Sequence, residues 1–255
     1  GTSFSTPWVS RIAAELTHLV KEEFDPLLIR ALLIHNAKYP ANNSMSMTDK
    51  VTQMGFGAPS SVQEMLYNSE DEITLILRDT LEKGSFIEMF DFPFPESLVD
   101  KDGNFVGQII VTLVTKSLLD DKQAGEYCQS NIDILFGTYE TETDRDTSKK
   151  GIKNPKGLEE PQNILLESLY SARVKGAHPF TGFERECTLV KYGKKFHPVK
   201  KYAIDLSEMT TSNRQRYLRG DRKWYLKIEG LYRDFIEQDA RARNYQLSQE
   251  YCLLL

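Results

Sequence analysis

The spacing of apolar residues changes near residue 68, and this change limits the possible folds more than any other feature of the sequence. Before that point apolar residues recur at steps of three and four, which is typical of helices buried on one face. After it, short runs with alternating apolar and polar residues predominate, which is typical of half-buried strands. The sequence therefore predicts a helical segment over residues 1–67 and a strand-rich segment over residues 68–255, an α+β fold overall.

Two consecutive helices are predicted at the start of the chain. The first covers residues 5–24, and Pro7 lies in its first turn, where a missing N–H costs nothing. Asp25-Pro26 then has the pattern of an N-cap followed by proline at the first helical position. The next stretch, residues 27–34, is apolar nearly all round, which predicts that the second helix is buried.

Proline and glycine residues predict where the later elements of the helical segment begin and end. Pro40 ends the second helix, and residues 41–47 form a polar loop. Gly55-Phe56-Gly57 predicts a turn, and residues 61–67 predict a short closing helix.

Eight short strand-like runs separated by turn residues predict a mainly antiparallel β-sandwich. A helix at 163–170 and a disordered polar loop at 140–161 are expected to interrupt it. The predicted strands are residues 73–79, 85–92, 105–115, 131–139, 187–192, 201–206, 224–231 and 245–255.

The first seven residues, Gly-Thr-Ser-Phe-Ser-Thr-Pro, resemble the nucleophile segment of subtilisin-like serine proteases, the subtilases. That family's pattern is Gly-Thr-Ser, any residue, a small residue, any residue and Pro. The resemblance implies that Ser3 attacks the carbonyl of a protein or peptide substrate and forms an acyl-enzyme. A serine at a helix N-terminus suits this chemistry, because backbone N–H groups and the positive end of the helix dipole stabilise the oxyanion.

Two later segments extend the resemblance in the expected order. Residues 28–37, Leu-Ile-Arg-Ala-Leu-Leu-Ile-His-Asn-Ala, resemble the helix that follows the nucleophile helix in subtilases, and Gly55-Phe56-Gly57 matches the family's Gly-aromatic-Gly turn. The resemblance covers residues 1–67, which would be the C-terminal end of a subtilase catalytic domain. Residues 68–255 resemble the accessory sandwich domains that many large subtilases append.

The chain departs from the family pattern in one decisive respect. Subtilases place their triad in the order Asp, His, Ser, and only two residues precede Ser3. We expect the Asp, the His and the Asn oxyanion donor in a missing N-terminal catalytic segment, so this chain alone should be inactive. The four histidines that follow Ser3 are interpreted as structural or surface residues: His18, His35, His178 and His197.

Composition excludes several other functions. A net charge of −5 and a pI near 5.5 argue against a nucleic-acid partner, and no apolar stretch is long enough to predict a membrane span. The three widely spaced cysteines, Cys128, Cys187 and Cys252, form neither a zinc motif nor a disulfide framework. They favour a reducing, cytoplasmic compartment, although one bridge with a free thiol stays open. We expect no cofactor and no metal ion.

Several weaker motifs have ordinary structural interpretations. Asp100-Lys101-Asp102-Gly103-Asn104 and Arg219-Gly220-Asp221 predict turns rather than a calcium loop or an integrin-type motif. Asn42-Asn43-Ser44 is a glycosylation acceptor only if the protein is exported from a eukaryotic cell. Two basic groups are interpreted as solvated surface, namely Lys191, Lys194, Lys195, Lys200 and Lys201, and Arg214, Arg216, Arg219, Arg222 and Lys223.

Two hypotheses for the function remain. The first is the C-terminal part of a subtilisin-like endopeptidase; the alternative is a β-sandwich protein-interaction module without a catalytic role. A chain without its catalytic sheet would also expose the apolar helix over residues 27–34, so we expect possible homodimers or displaced N-terminal helices.

Overall fold

The computed structural model describes residues 1–20, 24–40, 45, 47–67, 72–140, 161–166, 169 and 196–255. Within these ranges the α-helices are α1 (Thr2–Val20), α2 (Pro26–His35), α3 (Met47–Met54), α4 (Val62–Leu66), α5 (Thr211–Tyr217) and α6 (Asp234–Arg243). The strands are β1 (Ile76–Glu82), β2 (Phe86–Phe92), β3 (Gln108–Thr115), β4 (Ser130–Tyr139), β5 (Gln162–Asn163), β6 (Val199–Asp205), β7 (Lys223–Tyr232) and β8 (Ser248–Leu254). The predicted α+β class and the antiparallel strands are confirmed.

Helix α1 begins at Thr2, earlier than the sequence pattern indicates, so Pro7 lies inside the helix rather than in its first turn. Pro7 has no N–H to donate to the carbonyl of Ser3, four residues earlier. The placement of Pro7 in the first turn was therefore wrong. Ile12 and Leu16, one turn apart, are the buried residues that anchor this helix.

The start of α2 confirms its predicted cap. The carboxylate of Asp25 accepts hydrogen bonds from the N–H groups of Leu27 and Leu28, at 2.8 and 3.2 Å, and Pro26 occupies the first helical position. The helix ends at His35, with Asn36 as its C-cap, before Pro40 is reached.

The Gly-Phe-Gly turn is also confirmed, because Gly55 and Gly57 both have positive φ, at 60° and 95°. It returns the chain to the end of α2, where the backbones of Lys38 and Ala58 exchange two hydrogen bonds of 2.9 Å. The closing helix α4 follows and starts with a capping box between Ser61 and Glu64.

The strands form two four-stranded sheets in which every neighbouring pair is antiparallel. The first sheet has the order β1-β8-β3-β6 and the second the order β2-β7-β4-β5. Side chains from both sheets share one hydrophobic cluster, which supports the predicted β-sandwich. Its members include Val111, Leu113, Tyr202 and Leu253 from the first sheet and Ile134, Phe136, Trp224 and Leu226 from the second.

The opposite face of the first sheet carries a second hydrophobic cluster, which the helices cover. Val114, Val199, Cys252 and Leu254 project there and pack with residues of α1, α2 and α4. Leu28, Ile29, Ala31 and Leu32 of α2 are buried in this cluster. The expectation that residues 27–34 are exposed was therefore wrong, because the chain's own β-sheet covers them.

Other sequence expectations need correction. Gln162–Asn163 is a short strand followed by a turn, so the helix predicted at 163–170 does not begin as expected. The helices α3, α5 and α6 were not predicted, and α3 begins at Met47, the last residue of the predicted polar loop. The strand predicted at 187–192 and, within the predicted loop, residues 141–160 lie outside the described residues. In the described part of the chain, no helix has the length and apolar character needed to cross a membrane.

Candidate functional site

Ser3 is the second residue of the 19-residue helix α1 and is exposed to solvent. The N–H groups of Phe4 and Ser5 bond to the carbonyl of Gly1, at 3.0 and 3.4 Å. Thr2 and Ser3 are the first two residues of α1, and the first N–H groups of a helix have no partner within it. The end of α1 therefore presents a serine hydroxyl beside backbone donors and the positive end of the helix dipole.

The orientation of α1 turns Ser3 away from the core of the chain. Ser3 lies nine residues before the buried Ile12, which is about 180° around a helix of 3.6 residues per turn. The hydroxyl is thus on the solvent side of the helix, available to a group outside the described core.

The first two turns of α1 also expose large apolar side chains. Phe4 is 84% exposed and Trp8, four residues later, is 47% exposed. Residues one turn apart lie on the same side of a helix, so both exposed rings lie on one side of α1 near Ser3.

None of the described histidines is placed to act as the base for Ser3. His35 is buried between α2 and β3, with its Nδ1 3.1 Å from the hydroxyl of Thr112. Burial, assisted by the nearby Lys201, lowers the pKa of His35 to about 3. His18 is exposed further along α1, and Nδ1 of His197 lies 3.3 Å from the carbonyl of Val199. His178 is outside the described residues.

Two lysines interpreted as solvated surface are buried instead, so that prediction was wrong for them. They are neighbours on β6 and project to opposite faces of the first sheet. The ammonium of Lys200 bonds to the carbonyl of Ile132 and to Asp133, both at 2.6 Å. The ammonium of Lys201 bonds to the carbonyls of Ile34 and Ala37, both at 2.9 Å.

Arg222, from the second basic group, is also buried, and its guanidinium is directed at the end of β4. It donates to the hydroxyl and carbonyl of Thr138, at 3.0 and 3.1 Å, and to Glu140 at 3.0 Å. The surface prediction was therefore wrong for Arg222 as well. Lys191, Lys194 and Lys195 of the first group lie outside the described residues, as do Asn42, Asn43 and Ser44.

The predicted turns are confirmed. The carboxylate of Asp100 accepts from the N–H groups of Asp102 and Asn104, at 3.0 and 2.8 Å, and Gly103 has a φ of 76°. Arg219 and Asp221 form an ion pair, which lowers the pKa of Asp221. Among the residues that the structure describes, no group of His, Cys, Asp and Glu side chains could hold a metal ion.

Residues that join α2 to the first sheet were not recognised from the sequence. They are Arg78, which pairs with the cap Asp25 at 3.1 Å, together with Thr112 and Lys201. In the sequence these residues are marked only by lying in strands with alternating apolar and polar residues. Such alternation does not show which face of the sheet a helix will cover.

Comparison with protein families identifies the first part of the chain. Residues 1–61 match the model of the subtilase family of peptidases, which confirms the resemblance over these residues. The matched region contains Ser3, the helices α1, α2 and α3, and the Gly-Phe-Gly turn. Neither a search of curated proteins nor a search of solved structures gave a significant match.

Proposed function

We propose that the chain is the C-terminal part of a subtilisin-like serine endopeptidase in which Ser3 is the nucleophile. The subtilase match over residues 1–61 supports a protease of this family. The observation that carries the role of Ser3 is its position in the first turn of α1, exposed and beside N–H groups that have no helical partner.

In this mechanism the hydroxyl oxygen of Ser3 attacks the scissile carbonyl. The Ser3 proton passes to a histidine, which returns it to the leaving amine, and an aspartate orients that histidine. The N–H of Ser3 donates to the oxyanion of the tetrahedral intermediate, and the dipole of α1 adds to its stabilisation. Water then hydrolyses the acyl-enzyme and releases Ser3.

The histidine and aspartate are proposed to come from a catalytic segment outside these 255 residues. His35 cannot replace that histidine, because it is buried against Thr112 and its pKa is about 3. An effective general base has a pKa near the working pH. The 255-residue chain alone is therefore proposed to be inactive towards peptide bonds.

An active-site probe tests this proposal directly. A fluorophosphonate, which reacts with activated serines, should label the parent protein but leave the isolated 255-residue chain unlabelled. In the parent, Ser3→Ala should abolish labelling and peptide hydrolysis. Ser10→Ala is the matched control, because Ser10 is an exposed serine two turns further along nearly the same side of α1. Hydrolysis by the isolated chain that Ser3→Ala removes would contradict the proposed inactivity.

The strand-rich part is proposed to support folding of the catalytic part, substrate selection or partner docking. The competing hypothesis, an interaction module without catalysis, draws on the observation that the described strands lie outside the subtilase match. The coding sequence upstream of Gly1 separates the two. An Asp-Gly strand end and a His-Gly helix start there would support the protease, and their absence would favour the module.

Self-association of the isolated chain remains part of the proposal, now through Phe4 and Trp8 rather than through residues 27–34. Both rings are exposed on one side of α1. Sedimentation should show a concentration-dependent dimer that weakens in the double variant Phe4→Gln, Trp8→Gln. A strictly monomeric chain over the measured range would count against this interface.

A further inference from the structure

We infer that Lys201 is a positioning residue for Ser3, acting through α2. This inference rests on the proposed function only in naming Ser3 as the group that is positioned. The contacts that carry it lie at the junction between α2 and the first sheet, far along the chain from Ser3.

The ammonium of Lys201 donates hydrogen bonds to carbonyl groups at the C-terminal end of α2. Lys201 is 7% exposed, and its Nζ lies 2.9 Å from the carbonyl oxygens of both Ile34 and Ala37. The carbonyl of Ile34 lies in the last turn of α2 and also accepts from the N–H of Ala37, at 3.2 Å. Ala37 follows the Asn36 C-cap, and burying its carbonyl without a donor would be costly. A cation at this position also complements the negative end of the helix dipole. Lys201 therefore stabilises the end of α2 in its buried position.

Two other side-chain contacts join α2 to the first sheet, and both are weaker than the contact made by Lys201. At the N-terminal end, Arg78 of β1 pairs with Asp25 at 3.1 Å, but both side chains are about a third exposed. Near the C-terminal end, the His35 ring meets the Thr112 hydroxyl of β3 and stays neutral, since burial lowers its pKa to about 3. Partly exposed ion pairs contribute little to stability, so the buried charge of Lys201 is the stronger link.

Packing in a shared hydrophobic cluster couples the position of α1 to that of α2. The buried residues of α1, Ile12 and Leu16, belong to the same hydrophobic cluster as Leu28 and Leu32 of α2. Residues 1–8 are all exposed, so within the described residues Ser3 is held only through this more distant anchor. A shift of α2 on the sheet would therefore move the start of α1.

Lys200 provides a matched control on the same strand. It is buried like Lys201 but bonds to Ile132 and Asp133 of β4, on the other face of the sheet. Methionine at either position removes an ammonium and keeps most of the apolar stem. Lys200→Met and Lys201→Met should both lower global stability, but only Lys201→Met should loosen the helices.

The test measures amide exchange and tryptophan quenching in the 255-residue chain under native conditions. In Lys201→Met we expect about tenfold faster exchange for α1 and α2 amides than in Lys200→Met, because only Lys201→Met removes a charged donor from the end of α2. Acrylamide quenching should also increase, reporting on Trp8, because Trp224 is only 2% exposed. Lys201→Arg, which keeps a cationic donor, should restore part of the protection.

Equal exchange in Lys200→Met and Lys201→Met, or complete unfolding of Lys201→Met alone, would overturn the inference. The first result would mean that Lys201 has no local effect, and the second that it serves the whole fold. In the parent protease, Lys201→Met should lower kcat more than it raises KM. The exchange measurement does not depend on catalysis, so failure of the nucleophile proposal would appear separately, in the labelling of Ser3.

Discussion

His35 illustrates how one buried side chain links stability to pH. The residue is 8% exposed, its Nδ1 lies 3.1 Å from the hydroxyl of Thr112, and its pKa falls from 6.5 to about 3. Burial is the larger cause, and the charge of Lys201 adds to it. The folded state thus keeps His35 neutral while the unfolded chain takes up a proton below pH 6.5. The stabilisation is complete above that pH and is lost as pH falls towards 3.

Substitution of His35 should therefore flatten the pH dependence of stability. Between pH 7 and pH 5, the free energy of unfolding of the wild-type chain should fall by about 2 kcal/mol more than that of His35→Gln. Urea unfolding at both pH values measures this difference. His18→Gln, at an exposed site on α1, is the control and should keep the wild-type slope. Parallel slopes for the wild type and His35→Gln would show that the ring is not buried in its neutral form.

At the scale of elements, the Gly-Phe-Gly turn returns the chain from α3 to the end of α2. Gly57 has a φ of 95°, and a Cβ there would lie 2.4 Å from the carbonyl oxygen of Lys38. This close approach permits the paired hydrogen bonds between Lys38 and Ala58. Gly55 also has a positive φ, 60°, but a Cβ there would meet no atom within 4 Å.

The two glycines should respond differently to alanine. Gly55→Ala should cost about 1 kcal/mol, because only the left-handed backbone is disfavoured. Gly57→Ala should cost clearly more, since the methyl group must also displace the backbone of Lys38. Thermal unfolding of both variants measures the difference. Equal losses would indicate that the turn relaxes without cost.

At the scale of the whole molecule, the helices and the first sheet share one hydrophobic cluster. Cys252 of β8 lies in it with no exposed surface, and burial raises the pKa of its thiol to about 12. The division at residues 67 and 68 stays a prediction. The shared cluster indicates that neither segment buries this surface alone.

Removal of residues 1–67 should uncover Cys252. With Cys128 and Cys187 changed to serine, the thiol of the full chain should resist an aromatic disulfide reagent under native conditions, since the thiolate is the reactive form. The 68–255 chain carrying the same substitutions should react rapidly. Circular dichroism should verify that its strands persist. A shortened, folded chain that still protects the thiol would show that something other than the helices covers it.

Much of the fold could be predicted because it depends on local patterns. The Asp25 cap, the buried apolar run of α2, the two-glycine turn and most strands follow from residues that are close in the sequence. The helices α3, α5 and α6 were missed because they are short and mostly polar, so apolar spacing carries little signal there. Lys200 and Lys201 were misinterpreted because lysines on a strand are usually exposed.

The sequence alone determined the subtilase segment, the α+β class and the nucleophile candidate Ser3, since a short motif and apolar periodicity are local properties. Only the tertiary structure decided what covers α2 and where the buried charges lie. Lys201 meets the carbonyl of Ala37 across 164 residues of sequence, through strand pairings that no local pattern specifies. Whether a lysine is solvated or closes the end of a helix depends on which sheet face the helix covers, and long-range packing determines that face.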